Sequence, residues 1–371
     1  MNEQKLNYLQ ASFLVIIVTV THLVLNLPNA LISSTGSASI INVIYISILS
    51  IIMFLLVKKL LTPFESNNIL YVAEYIGGKA LKKFLALLYI FHFIFITGIL
   101  LRSFAETLIF IYFPQSSTWT VLLSFLLVAI IANKIGAINI IKANAILMVP
   151  ILSAIIITAI SLVGKFEINR LFPIMGYGFK ETFINGTTNI YAFSGVVYIY
   201  FLKPYLNNYK DFSKVGFISI AISSIYLLLT VSALLMMFPF LTADNQAMSV
   251  YLSTRIIEYG KFMQRTDAIY MFVWIFIFFS YLSVILVYIS QISKESLQIN
   301  ISSFFIYLIS FFIFIVSIIP KNSTQIRFLE TTIYKYSSLG IVFILSLIIL
   351  LLGYLKKRRE KSINLRKKVR L

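Results

Sequence analysis

The sequence predicts an all-α polytopic membrane protein, and three observations point to that class. Of the 371 residues, 60% are hydrophobic and 12% are charged, whereas soluble chains average roughly 45–50% apolar and about 25% charged residues. The apolar residues form runs of about 20, the helix length that crosses the roughly 30 Å hydrocarbon core of a bilayer. The charges lie almost entirely between these runs. A soluble enzyme, a disordered chain and a secreted disulfide-linked module are therefore excluded.

Ten apolar runs are candidate transmembrane helices. The first is long and is interrupted by His22, Asn26 and Pro28, so it is interpreted as a retained helix and not as a cleaved signal peptide. The predicted spans are residues 8–33, 39–61, 84–112, 119–134, 141–164, 186–204, 213–241, 267–292, 299–319 and 335–355.

The formal net charge of +18 indicates orientation in the membrane. One transmembrane domain, residues 1–355, precedes a basic tail, residues 356–371, that holds nine Lys and Arg residues. With the N-terminus inside, the inner segments hold 21 basic residues and the outer segments 9. Cytoplasmic loops carry such an excess, so both termini are predicted to be cytoplasmic. No nucleic-acid partner is predicted, because no soluble basic face is present.

Ten spans suggest an inverted repeat of five plus five helices, in which the first helix of each half is discontinuous at the bilayer midplane. The first span is polar around Thr21 and His22 and has Pro28 further on. The sixth span is polar up to Ser194 and has Pro204 near its end. The alternative is a pair of tolerated kinks in ordinary transmembrane helices.

An ordered set of motifs resembles one family from end to end. Residues 168–178 read INRLFPIMGYG, similar to that family's extracellular segment I-N-x-L-x-P-x-x-G-x-G. Residues 27–30, LPNA, resemble the L-P-R-A that closes its first helix, and residues 102–106, RSFAE, resemble R-x-x-A-E in its third. Ser194-Gly195 and Lys203-Pro204 match its broken sixth helix. Through these motifs the chain resembles the B subunit of bacterial spore germinant receptors, a spore germination protein similar to amino acid permeases.

The resemblance implies a ten-helix fold of the amino acid/polyamine/organocation (LeuT-like) class. It implies a nutrient-sensing role in the spore inner membrane, with a small, amino-acid-like germinant as ligand. The implied partners are a membrane A subunit and a lipoprotein C subunit. The chain departs from the family at its first-helix break, where glycines are replaced around Thr21 and His22, and at Asn29, where the family has Arg.

Two other functions remain open on the sequence. A proton- or cation-coupled amino acid transporter has the same fold, although acidic residues within the predicted spans are scarce. A scaffold subunit that binds no ligand is the other alternative, which the replaced glycines favour.

Polar residues within the spans are the candidate binding residues, because burying them uncompensated in a membrane is costly. His22 and His92 are both predicted near the midplane, either facing one cavity or making independent hydrogen bonds between helices. The resemblance places His92, Ile96 and Tyr281 at pocket positions, and Ser194 and Gly195 lie at the sixth-helix break. The full candidate set is Thr21, His22, Leu23, His92, Ile96, Phe193, Ser194, Gly195, Tyr198, Ser280 and Tyr281.

Arg102 and Glu106 are spaced four residues apart and share a face of the third span. They are predicted to form either a structural ion pair or an outer gate. The absence of cysteine and the presence of only two histidines leave no candidate metal site. Neither a Ser/His/acid set nor a glycine-rich phosphate loop is present, so no enzymatic activity and no cofactor are predicted.

Overall fold

The computed structural model describes residues 5–23, 25–65, 67–242, 249–257, 266–298 and 303–369, and nearly all of its regular structure is helical. The exception within these ranges is one isolated β-bridge between Leu6 and Leu206. Six helices there are long and apolar enough to cross a bilayer, and three shorter apolar helices accompany them. The protein is an integral, polytopic, all-helical membrane protein, as the sequence predicts.

Six α-helices lie in the described part of the first half of the chain. They are α1 (Tyr8–Leu23), α2 (Leu27–Thr35), α3 (Ser39–Leu61), α4 (Ile69–Ile111), α5 (Thr118–Lys134) and α6 (Ala137–Ser161).

The second half is less regular. A π-helix (Lys180–Ile184) leads into a 3-10 helix (Asn185–Tyr198), and a second π-helix covers Leu329–Tyr334 and a third Leu339–Leu345. The α-helices are α7 (Ile199–Leu202), α8 (Phe212–Met237), α9 (Ser249–Arg255), α10 (Thr266–Leu297), α11 (Ser303–Ile318), α12 (Ser323–Phe328), α13 (Lys335–Ser338) and α14 (Ser346–Val369).

The first predicted span is divided into two helices. After α1, the backbone N–H of Leu25 donates to the carbonyl of His22 at 3.3 Å, and α2 then begins at Leu27. Pro28 lies in the first turn of α2, where its missing N–H has no helical partner to lose. The discontinuity therefore follows directly from the position of the proline.

Two helices begin earlier than the hydropathy pattern predicts. Helix α4 starts at Ile69, not near 84, and bends at Gly77 and Gly78, the latter with a φ of 70° that glycine adopts without strain. The tenth span is preceded by helix from Ser323 onward, not from 335. In both places charged residues interrupt the apolar run while the backbone continues as helix, because helical hydrogen bonding does not require an apolar side chain.

Helix α1 lies at the centre of the bundle. It packs against α6, α8, α10 and the 3-10 helix Asn185–Tyr198. Side chains on all sides of α1 are buried, among them Leu14, Ile17 and Val20, as expected for a helix that is apolar all round. Helices α5, α6 and α11 carry exposed apolar side chains such as Ile146, which face outward. The break after α1 is consequently in the interior of the protein.

Close packing of α4 on α11 depends on Gly98, and this contact yields the first prediction. A methyl group at Gly98 would lie 2.6 Å from Cβ of Val316 and 3.0 Å from the carbonyl oxygen of Ile313. We expect Gly98→Ala to lower the free energy of unfolding by about 1–3 kcal/mol, since overpacking forces the helices apart. Thermal unfolding of the purified protein in detergent measures the effect. Gly340→Ala is the matched control, because nothing lies within 4 Å of that added methyl group; equal unfolding temperatures for both variants would contradict the prediction.

Candidate functional site

Three irregular elements meet at the side chain of Tyr334, which lies at the end of the π-helix Leu329–Tyr334. Its ring stacks on the imidazole of His22, with centroids 5.0 Å apart and planes at 22°. Its hydroxyl shares a hydrogen bond with the hydroxyl of Ser194 and lies 3.4 Å from Nε2 of His22. The end of α1, the 3-10 helix Asn185–Tyr198 and the start of the last span are thereby joined at one point.

Helix α1 and the 3-10 helix Asn185–Tyr198 are in contact at Gly195. A Cβ atom there would lie 2.3 Å from Oγ1 of Thr19 and 3.2 Å from its backbone nitrogen, so only glycine permits this approach. Immediately before it, Phe193 has non-helical backbone angles of φ −97° and ψ 19°. The backbone of this element is therefore irregular immediately before Ser194 and Gly195.

Tyr281 of α10 completes the surroundings of His22. The two rings meet edge to face, with centroids 6.2 Å apart and planes at 85°. The Tyr281 hydroxyl pairs with Oγ1 of Thr97 at 3.2 Å, which connects α10 to α4. Of the predicted binding residues, the structure thus brings His22, Ser194, Gly195 and Tyr281 together.

His92 lies on α4 and is buried. Neither of its ring nitrogens has a hydrogen-bond partner among the described residues. Ile96, one turn further along α4, is also buried. A buried imidazole without partners is unusual, because desolvating a polar group without a hydrogen bond is costly.

Other predicted binding residues make contacts of a different kind. The hydroxyl of Thr21 donates to the carbonyl of Ile17 within α1, at 2.6 Å. The ring of Tyr198 stacks on Phe93, with centroids 4.9 Å apart, and meets Tyr288 edge to face. These contacts are intrahelical bonding and core packing.

Phe193 and Ser280 are both buried. The side chain of Leu23 lies outside the described part of the structure. For these three positions the sequence prediction stays a prediction.

A small cavity of about 20 Å³ opens beside the break between α1 and α2. His22 is the one member of the predicted set on its wall, and Asn26, Tyr191, Glu330 and Tyr334 are lining residues that the sequence reasoning missed. Glu330 was missed because it precedes the apolar run from which the tenth span was predicted. The available signal was the spacing of Glu330 and Tyr334, four residues apart and therefore on one helical face. The remaining lining residues are Leu25, Leu27, Ala30, Leu100 and Thr331.

Arg102 and Glu106 form an ion pair, with Nε of Arg102 3.0 Å from Oε1 of Glu106. The hydroxyl of Ser323 donates to the other carboxylate oxygen at 3.1 Å and links α4 to α12. The side chains are 13% and 23% exposed, so both are largely buried. No group of His, Asp and Glu side chains in the described ranges has the arrangement of a metal site.

Comparison with known sequences places the chain beside proteins of spore germination. The family model described as "Spore germination protein" matches residues 5–326. The chain is 25% identical over 205 residues to spore germination protein KB of Bacillus subtilis (strain 168), covering 54% of the chain and 55% of that relative. It is 22% identical over 363 residues to spore germination protein YndE of the same organism, covering 96% of the chain and 98% of the relative.

Comparison with solved structures shows the fold. A structure titled as the substrate-bound, outward-open state of a Na⁺-coupled sialic acid symporter superposes with a TM-score of 0.66. The match covers 92% of this chain and 80% of the symporter at 12% sequence identity. The chain therefore has a transporter-like fold. The likeness gives no information on its substrate or on any ion that it binds.

The hydroxyl of Tyr334 generates the second prediction. Tyr334→Phe keeps the stacked ring but removes the partner of Ser194 and His22, so we expect a loss of about 1–3 kcal/mol in the free energy of unfolding. Thermal unfolding of purified protein measures it. Tyr336→Phe, at a side chain that is 61% exposed, is the control and should behave as wild type. A Tyr334→Phe variant as stable as the control would show that the hydroxyl bonds do not hold the three elements together.

Proposed function

The chain belongs to the spore germination protein family, and on that premise we propose that it is the nutrient-sensing membrane subunit of a germinant receptor. Its ligand is a small, amino-acid-like nutrient. The ligand binds at the break between α1 and α2, where the 3-10 helix Asn185–Tyr198 approaches.

The observation that most supports this proposal is the cavity beside the break, bounded by His22, Asn26 and Glu330. Polar groups inside a membrane domain are expensive and tend to serve function. Because α1, α2 and the helix Asn185–Tyr198 are separate short elements, a ligand that contacts all of them favours one arrangement over another. Differential affinity of this kind is sufficient to report the presence of a nutrient without transporting it.

The proposal includes the setting of the subunit. It acts in the spore inner membrane with a membrane A subunit and a lipoprotein C subunit, and both of its termini are cytoplasmic. Its ten spans form the five-plus-five inverted repeat of the amino acid/polyamine/organocation class, for which the break after α1 and the irregular backbone at Phe193 are the supporting features.

The second candidate function is coupled transport, which the transporter-like fold favours. Uptake of labelled amino acids into proteoliposomes separates the two. Accumulation that depends on a proton or sodium gradient would show that the protein is a transporter and not a sensor. Binding without accumulation supports the sensor.

Deletion of the gene tests the sensing role directly. Spores that lack the chain should fail to respond to at least one nutrient to which the parent strain responds, as measured by loss of optical density. Unchanged responses to every nutrient tested would overturn the proposed function.

A third prediction concerns two candidate site residues. Ser194→Leu and His92→Ala should each raise the nutrient concentration for half-maximal germination at least tenfold, which corresponds to about 1.4 kcal/mol of binding free energy. The reason is that Ser194 adjoins Tyr334 and that the ring nitrogens of His92 have no hydrogen-bond partner within the described part of the chain. Ser153→Leu, on the exposed face of α6, is the matched control and should respond as the parent. If the two site variants fail to accumulate in the membrane while the control does, these residues serve packing instead.

A further inference from the structure

Among the described residues that line the cavity beside the helix break, Glu330 is the acidic one. Its side chain lies on the cavity wall and the residue is 7% exposed. It stands in the π-helix Leu329–Tyr334, one helical turn before Tyr334. Because both residues face the cavity, any ligand that reaches the ring of Tyr334 also meets this carboxyl group.

The two carboxyl oxygens of Glu330 differ in their hydrogen bonding. Its Oε2 accepts from the side-chain amide of Asn26 at 2.7 Å, and that amide also reaches the hydroxyl of Ser103 at 3.2 Å. Its Oε1 has no hydrogen-bond partner among the described residues. Both of its hydrogen-bond partners are neutral, the amide of Asn26 and the hydroxyl of Ser103, and a buried carboxylate without an opposite charge in contact is poorly compensated.

Two nearby cations are engaged elsewhere. Arg102 pairs with Glu106, and Nζ of Lys335 donates to Asn189 while lying 5.7 Å from the ring centroid of Tyr191. Within the described ranges, the ion pairs closer than 4 Å do not include Glu330.

We propose that Glu330 is the counter-ion for an ammonium group of the bound ligand, which places a cation subsite in the cavity beside the helix break. The ammonium donates to the open Oε1. The rings of Tyr191 and Tyr334, whose centroids are 5.6 Å apart and whose planes meet at 83°, lie on the wall of the same cavity. That the cation is part of a nutrient rests on the proposed function, whereas the subsite itself rests on Glu330 and its surroundings.

A ligand bound at this subsite stabilises one arrangement of the helix break. Asn26 belongs to the turn between α1 and α2 and already holds Oε2 of Glu330. A cation on Oε1 replaces a poorly compensated group with a paired one, and it thereby stabilises the arrangement in which α2 and the π-helix Leu329–Tyr334 are linked. Ligands of the same shape without the positive charge lack this effect.

The fourth prediction tests the subsite with simple probes on the purified full-length protein. Ethylammonium chloride should raise the thermal unfolding temperature in a saturable manner. Ethanol, in which a hydroxyl replaces the ammonium, and sodium chloride at equal concentration should not. Glu330→Gln should weaken the apparent affinity for ethylammonium at least tenfold. Glu167→Gln, at an exposed glutamate of the loop after α6, should leave it unchanged.

Two results overturn the subsite. One is a saturable ethylammonium response that is equal in Glu330→Gln and wild type, and the other is no response in the wild type. If Glu330→Gln does not accumulate, the test is the unfolding temperature of the wild type, which ethylammonium should raise and ethanol should not. Failure of the proposed function is distinct: spores without the chain would germinate normally while the ethylammonium response of the purified protein persists. A nutrient response that survives without any ethylammonium effect would retain sensing and reject Glu330 as counter-ion.

Discussion

The close contact between Thr19 and Gly195 is the interaction on which the rest of the interior depends. It brings the end of α1 directly against the 3-10 helix Asn185–Tyr198, at a distance that a side chain on residue 195 would prevent. Backbone groups that are released where a helix is interrupted inside a membrane must be satisfied within the protein. The contact between the two elements leaves polar atoms, such as the hydroxyl of Ser194, at the centre of an otherwise apolar bundle.

The third element at this point is irregular for a related reason. The π-helix Leu329–Tyr334 lies between α12 and α13, where one wider turn changes the direction of the side chains that follow. Such turns occur frequently at functional sites. Here the turn carries Glu330 and Tyr334 toward His22, so that a carboxyl, a phenol and an imidazole surround one cavity. The apolar helices around them keep these groups away from bulk water, which strengthens every electrostatic contact among them.

The structural superposition and the family assignment describe different properties of this protein. The superposition on a sodium-coupled symporter concerns the arrangement of helices and extends over 92% of the chain. Membership of the spore germination family rests on the sequence, including the stretch from residue 5 to 326. A scaffold with short, separately movable helices around a polar centre suits both uptake and sensing. What differs between the two uses is whether the site opens to both sides, and that depends on the balance between conformations.

The sequence by itself determined the membrane class, the approximate apolar spans, the interruption near Pro28 and the family resemblance. All of these depend on composition or on neighbouring residues, since a bilayer selects apolar runs and a proline acts on its own helix. The spacing of Arg102 and Glu106 predicted that they share a helix face, as a structural ion pair or as an outer gate. Only the tertiary structure decided that Glu330 faces Asn26, 304 positions away, or that Tyr198 packs on Phe93. Such contacts depend on which helix faces meet, and in lipid, where nearly every helix face is apolar, hydrophobic patterning does not specify that choice.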